Sequence, residues 1–195
     1  MATVIYADPP WKFRGGFYSK AGSWGQLPYP TMTAKEIKDL APGVKKIAGD
    51  TSILFLWTTD KHLSQALLTC KAWGYKYKTL GFVWLKMTKK GEPVHRTSYY
   101  TRKSTELCLL ATKGPVHNKW LKSHSDQLVQ AACREHSKKP DEVRDRIAEM
   151  FSESEKFELF ARQKYTGWKS WGNEIEKDFE METRSPGVFR KTKKL

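Results

Sequence analysis

An apolar run cut short by two prolines constrains this chain more than any other feature. Val4-Ile5-Tyr6-Ala7 is followed at once by Asp8-Pro9-Pro10-Trp11. The run is too short for a helix and rich in β-branched and aromatic residues, which is the composition of a strand buried on both faces. Neither proline can donate to a sheet ladder, so the strand stops at Asp8. Two fixed φ angles make the turn stiff and supply carbonyl acceptors without amide donors. A carboxylate, a rigid carbonyl and a flat ring therefore gather at the carboxyl end of a strand, the edge at which open α/β sheets bind ligands.

Acceptors beside an aromatic plate suit the exocyclic amine of a nucleobase, whose N–H bonds point at the acceptors while the base stacks on Trp11. The amine of adenine is a poor nucleophile because its lone pair is delocalised into the ring. Hydrogen bonds to the Asp8 carboxylate and the Pro9 carbonyl localise that lone pair as the transition state forms. The competing reading of the same residues is a proline-stopped strand with a core tryptophan. Charge favours the first: 35 Lys and Arg against 21 Asp and Glu leave a net charge of +14, which suits a polyanionic partner. Cys70, Cys108 and Cys133 show no C-x-x-C spacing, so reduced packing cysteines are expected, with neither a zinc site nor a disulfide frame. The longest apolar runs are strand-sized, which predicts a cytoplasmic protein with no membrane association.

The pattern along the chain alternates strand and helix. Residues 12–32 carry Gly15, Gly16, Gly22, Gly25, Pro28 and Pro30 without any period and read as a lid or binding loop. Thr33 and Glu36 form a capping box for a helix over 34–41 that ends before Pro42-Gly43. Strands are predicted at 52–57, 80–85, 105–111, within 126–133, and at 156–161. A helix capped by Asp60 carries Leu63, Ala66, Leu67, Cys70 and Trp73 and stops at Gly74. Another starts with Pro140 in its first position and packs through Val143, Ile147, Met150 and Phe151. This alternation predicts one α/β domain with a largely parallel sheet over residues 1–180 and a basic tail over 181–195.

Two further clusters carry chemistry. Residues 86–104 hold Lys86, Lys89, Lys90, Arg96, Arg102 and Lys103 against the single acid Glu92, with His95, Tyr99 and Tyr100 interleaved. Cations mixed with aromatics suit phosphates and unstacked bases, although any one of these lysines alone reads better as a solvated loop residue. Towards the end, Glu158-Leu159-Phe160-Ala161-Arg162 delivers an arginine to a strand end. Gly167-Trp168 and Trp171-Gly172-Asn173-Glu174 follow, with the Asn-Glu pair opening a last helix. Polar groups at such an edge hold ribose hydroxyls, and an arginine holds a carboxylate. Trp168 and Trp171 read as packing residues.

Asp8-Pro9-Pro10-Trp11 resembles the DPPW signature of the MT-A70-type adenine-N6 methyltransferases. That family contains the catalytic subunit of the eukaryotic mRNA adenosine methyltransferase and many bacterial and phage DNA methyltransferases. Leu27-Pro28-Tyr29-Pro30-Thr31-Met32 is similar to the family's Leu-Pro-Tyr-x-Thr-Met segment, so residues 12–32 look like its gate. Ser137-Lys138-Lys139-Pro140-Asp141-Glu142 is similar to its Ser-x-Lys-Pro-Asp-Glu stretch, and the segment after residue 158 is similar to its cofactor-binding end. The resemblance implies a Rossmann-like class I methyltransferase with permuted motifs, the catalytic strand preceding the cofactor strand. It also implies S-adenosylmethionine as cofactor. Asp8, Pro9, Pro10 and Trp11 would be catalytic. Asp8, Lys139, Phe160, Arg162, Asn173 and Glu174 would contact the cofactor, with Lys139 near its carboxylate or the target base. Tyr29, Lys86, Arg96, Tyr99, Tyr100, Arg102 and Lys103 would contact the substrate. No G-x-G-x-x-G turn is present, and only seven residues, none acidic, precede Asp8, so no residue is assigned to the cofactor's adenine.

The expected activity is methyl transfer to adenine N6 in DNA, on a flipped or single-stranded base, by a bacterial or phage enzyme that is a monomer or weak homodimer. No metal is expected. The rivals are an RNA adenosine methyltransferase and a catalytically silent nucleic-acid-binding subunit; the intact Asp8-Pro9-Pro10-Trp11 argues against silence. Lys113, Lys119 and Lys122 are expected to join the 86–104 cluster in one positive surface beside Asp8. A chain of this length leaves no room for a target-recognition domain, so a short or relaxed sequence preference is expected.

Overall fold

The computed structural model describes residues 2–13, 17–18, 24–25, 30–97, 100–116, 120–134 and 138–184. Strand β1 (Thr3–Ala7) stops at Asp8, the residue after its end, as expected. The 12–32 excursion, expected to be irregular, includes a small antiparallel hairpin of β2 (Phe17–Tyr18) and β3 (Trp24–Gly25). Its base is closed: the Lys12 N–H donates to the Met32 carbonyl at 2.9 Å, and the Met32 N–H donates to the Pro10 carbonyl at 2.8 Å. Tyr29, with most of the gate segment, lies outside the described residues.

Thr33 and Glu36 make the predicted capping box for α1 (Ala34–Asp39). Pro42-Gly43 does not break the chain. Both lie inside α2 (Ala41–Ala48), because a proline in the first turn gives up an N–H that has no helical partner anyway. A Cβ on Gly43 would fall 2.2 Å from Met181 Sδ and 2.7 Å from the Glu182 nitrogen. Residues 181–184, the start of the expected basic tail, lie across the two helices. The Gly43 N–H donates to the Glu182 carbonyl at 3.1 Å, and the Arg184 N–H donates to the Asp39 carbonyl at 2.9 Å.

Strand β4 (Ser52–Thr58) is buried along its whole length. Asp60 opens a 3-10 turn, Asp60–His62, and does not itself cap the helix that follows, α3 (Leu63–Ala72). Gly74 stops the helix with φ at +90°. Then come β5 (Lys76–Met87), β6 (Thr105–Lys113), β7 (Leu128–Ala132), α4 (Asp141–Met150), β8 (Lys156–Leu159) and β9 (Lys169–Trp171). Pro140 sits at the N-cap of α4, one position earlier than predicted. Residues 172–184 form bends and irregular chain, so Asn173-Glu174 opens no helix.

The sheet has seven strands in the order β7-β5-β6-β4-β1-β8-β9. All run parallel except β6, which is antiparallel to β4 and β5. The link from β5 to β6 contains no helix among its described residues, and a strand returning without a crossover must run the other way. That reversal overturns one expectation. Thr105 and Glu106 come to the carboxyl edge, where Leu107 pairs with Thr58, but Lys113 pairs with Ser52 at the opposite edge. Lys122 lies there too, its N–H donating to the carbonyl of Met150 at the end of α4. Neither lysine shares a surface with Asp8, and Lys119 lies outside the described residues.

Helices α1 to α3 cover one face through Ile37, Val44, Ala66 and Trp73, while Val143, Ile147, Phe151 and Trp168 pack on the other. The chain leaves β1 through α1 and α2 to β4 on one side. It returns through α4 to β8 on the other. Asp8 therefore stands where the strand order reverses, and adjacent connections diverge to leave a crevice.

Candidate active site

The crevice is walled by the β1 turn (Asp8 to Trp11, and Phe13), by Thr58 and Thr59 at the end of β4, and by Glu106, Lys139 and Arg162. In the turn, the Trp11 N–H donates to the Pro9 carbonyl at 2.9 Å, and the Pro10 carbonyl is taken by Met32. The prolines thus present fewer free acceptors than their sequence suggests. Since a carbonyl oxygen has two lone pairs, Pro9 keeps one for a ligand.

Asp8 belongs to a line of alternating charges. The Lys139 ammonium lies 2.9 Å from the Asp8 carboxylate and 3.1 Å from Glu106, and Glu106 also pairs with Lys86. Lys139 sits 5.6 Å above the Trp57 ring and Lys86 5.0 Å above Trp84. Burial pushes the Asp8 carboxyl up, Lys139 pulls it part of the way back, and the balance stays above the ordinary carboxylate range. Burial also acts to raise Glu106, but Lys139 and Lys86 outweigh it and hold Glu106 below that range. For Lys139, burial works against the charge while Asp8 and Glu106 secure it, so its pKa rises above that of an ordinary lysine. Lys86, expected to contact substrate, is occupied by Glu106 instead, its side chain only 14% exposed.

Trp11 also differs from expectation. Its Nε1–H donates to the Trp57 carbonyl at 3.0 Å, and its face stacks on His62, centroids 5.6 Å apart at 17°. At 6% exposure it offers the crevice an edge, because the plate is already covered. His62 in turn meets Phe13 edge-on at 4.6 Å and bonds the Lys12 carbonyl at 3.3 Å and Thr59 Oγ1 at 2.9 Å. A carbonyl can only accept, so Nε2 carries the proton and Nδ1 accepts from Thr59. Burial lowers the His62 pKa, which favours this neutral form.

The predicted cofactor segment reaches the same edge. Phe160, directly after β8, has φ of +64°, rare for a residue with a side chain, and its ring meets Trp171 edge-on at 5.7 Å. This turn lets the Ala161 N–H donate to the Trp171 carbonyl at 3.0 Å. A Cβ on Gly172 would lie 1.9 Å from the Ala161 oxygen, so only glycine lets the two strand-end segments cross. Arg162 lines the crevice, with its Nε 3.8 Å from Glu174. Asn173 and Glu174 are exposed beside it.

The arm between β5 and β6 leaves the carboxyl edge. Its Lys103 pairs with Asp60, while Arg96, Tyr100 and Arg102 are exposed; Tyr99 is outside the described residues. Sequence reasoning missed Glu106, Thr58, Thr59, Phe13 and His62. Glu106 left a signal, as the one acid of β6, directly ahead of the apolar run Leu107 to Ala111.

The MT-A70 family model matches residues 2–174. The chain belongs to the MT-A70 family. Over 205 aligned residues it is 37% identical to the type II methyltransferase M.MunI of Mycoplasma sp., covering 97% of this chain and 84% of that one. It is 30% identical to the rice probable N(6)-adenosine-methyltransferase MT-A70-like, and 28% identical to the human N(6)-adenosine-methyltransferase catalytic subunit METTL3. These matches cover 88% and 89% of this chain but only 23% and 28% of the relatives, so it spans about a quarter of their length. This MT-A70 protein is a methyltransferase, and members of its family generally use S-adenosylmethionine as methyl donor. Among the described residues, no helix is long and apolar enough to cross a membrane, and no three or more His, Cys, Asp or Glu side chains are grouped so as to hold a metal ion.

Proposed function

We propose that this MT-A70 methyltransferase transfers the methyl group of S-adenosylmethionine to N6 of adenine in DNA. The observation that carries the reading is the acceptor pair at the switch point, the Asp8 carboxyl group beside the second lone pair of the Pro9 carbonyl. An adenine amine donating one N–H to each has its nitrogen lone pair turned away from the ring. As positive charge grows on that nitrogen, the carboxylate stabilises it, and the proton released after transfer has Asp8 as its nearest base. Lys139 favours the ionised form of Asp8 and fixes its direction, and Glu106 with Lys86 fixes Lys139. An RNA substrate would use the same pair. DNA is favoured by the match along nearly the whole chain to a bacterial type II methyltransferase.

The residues at this edge fit the cofactor. The Arg162 guanidinium matches a carboxylate, and the exposed Asn173 and Glu174 match a ribose diol. When bound, S-adenosylmethionine supplies a methyl group already activated by its sulfonium. If Asn173 and Glu174 hold the ribose, Asn173→Ala and Glu174→Ala should each weaken cofactor binding by about 1–3 kcal/mol, the scale of a lost polar partner. Calorimetric titration reads this directly, and unchanged affinity in both variants would return the segment to a packing role.

The polymer is tested by incubating the protein with cofactor and either plasmid DNA or RNA, then mapping N6-methyladenine. Methylated plasmid at a short or relaxed site is expected; methylated RNA with untouched DNA would sink the proposal. Because the arm presents Arg96 and Arg102 to solvent, DNA affinity should fall roughly tenfold or more between low and physiological salt. Replacing both arginines by alanine should flatten that dependence and weaken binding to every sequence alike.

A further inference from the structure

The link between β5 and β6 is an arm with a defined root and an aromatic tip. At the root, the Lys86 N–H donates to the Ser104 carbonyl and the Lys86 carbonyl accepts from Val94, each at 2.7 Å. Further out, Arg96 and Lys103 exchange backbone hydrogen bonds of 3.0 and 2.8 Å. The Lys103 ammonium pairs with Asp60, in the turn that follows β4. The arm is thus tied to the catalytic edge both through its own strands and across to β4.

Beyond this root Tyr100 is 102% exposed, twice the 50% of Leu68, the next large hydrophobic side chain among the described residues. An exposed tyrosine alone means little. Its setting gives it meaning, because Arg96 and Arg102 stand exposed on the same excursion while the catalytic carboxylate lies in a recess at its foot. The side chains of Asp8 and Lys139 are only 27% and 10% exposed. A duplex cannot enter that recess, so the target nucleotide has to leave the stack. Its departure leaves two neighbouring base pairs facing a gap and one base without its partner. A flat ring entering the gap restores stacking on both sides, and side chains on binding arms fill base steps in this way.

We propose that Tyr100 occupies the gap left by the extruded adenine, with Arg96 and Arg102 on the flanking phosphates. This rests on the reading above that the substrate is adenine in DNA. The test compares wild type, Tyr100→Ala and Tyr100→Trp on a duplex oligonucleotide carrying the mapped site and on the single strand of the same sequence. A plug matters where there is a stack to repair. The ratio of duplex to single-strand kcat/KM should therefore fall about tenfold in Tyr100→Ala, the scale of one base–aromatic stack, and recover in Tyr100→Trp. The ring is wholly exposed, so its truncation leaves the fold intact, and a melting curve checks this. An unchanged ratio in Tyr100→Ala overturns the plug while the DNA reading stands. So does a wild type active on single strands alone. A wild type that methylates neither substrate overturns the DNA reading, and the plug with it.

Discussion

Asp8→Ala is expected to remove most of the turnover, roughly a hundredfold or more in kcat, while cofactor affinity changes little. The loss should not come from unfolding. Lys139 keeps Glu106 as a partner when Asp8 is gone. Moreover, a carboxyl whose folded pKa is raised binds its proton more tightly in the fold than in the unfolded chain, so holding Asp8 ionised above that pKa costs stability. The melting temperature of Asp8→Ala should accordingly not drop. The same balance sets the pH profile of the wild type. In the proposed role Asp8 acts as the ionised carboxylate, so the rate should decline as pH falls through the Asp8 pKa, and this acid limb should lie above the ordinary carboxylate range. Lys139→Met removes the group that pulls the pKa down and should move the limb to higher pH still. Steady-state rates across pH measure both effects. Near wild-type turnover in Asp8→Ala, or an acid limb unmoved by Lys139→Met, would disprove the assignment.

The largest expected effect on stability lies one layer behind the crevice. Arg144 grips Glu158 with two hydrogen bonds, 2.8 Å from Nε and 3.0 Å from Nη2, and each side chain is 8% exposed. Its Nη1 reaches Asp141 at 3.1 Å, and the guanidinium lies 3.4 Å from the centre of the Tyr165 ring. Arg144→Leu leaves Glu158 buried without its cation, which costs about 3–5 kcal/mol. In a domain of this size that should lower the melting temperature by roughly 6–20 °C. Glu158 belongs to β8, the strand that delivers Phe160 and Arg162, so cofactor affinity should weaken as well. The double variant Arg144→Leu/Glu158→Leu discriminates the cause. With no buried charge left alone, it should regain much of the lost stability. A single variant that melts within a degree or two of wild type would show that the pair contributes little.

Several features were legible without any structure because they are local. A β-branched run stopped by two prolines has one physical outcome, so β1 and the position of Asp8 at a strand end follow from eight residues. The Thr33–Glu36 box, the stop at Gly74 and most of the strands are local in the same sense. Pro42-Gly43 misled because a proline in a helix's first turn looks, in sequence, like one beyond its end.

What only the tertiary structure decided was which charges meet. Lys86, Glu106, Lys139 and Asp8 are scattered over the chain, and nothing local pairs one with another. They pair because β6 runs against its neighbours and brings Glu106 to the carboxyl edge, between Lys86 near the end of β5 and Lys139 two residues ahead of α4. The same reversal sends Lys113 to the opposite edge. Trp11 was read correctly as an aromatic at the strand end. Whether its face would be open depended on His62, which α3 and its preceding turn carry there from another part of the chain. Local chemistry determines where a strand starts and stops. Strand direction and the side chain that arrives opposite are set by packing between distant segments, so the charge line around Asp8 exists only in the fold.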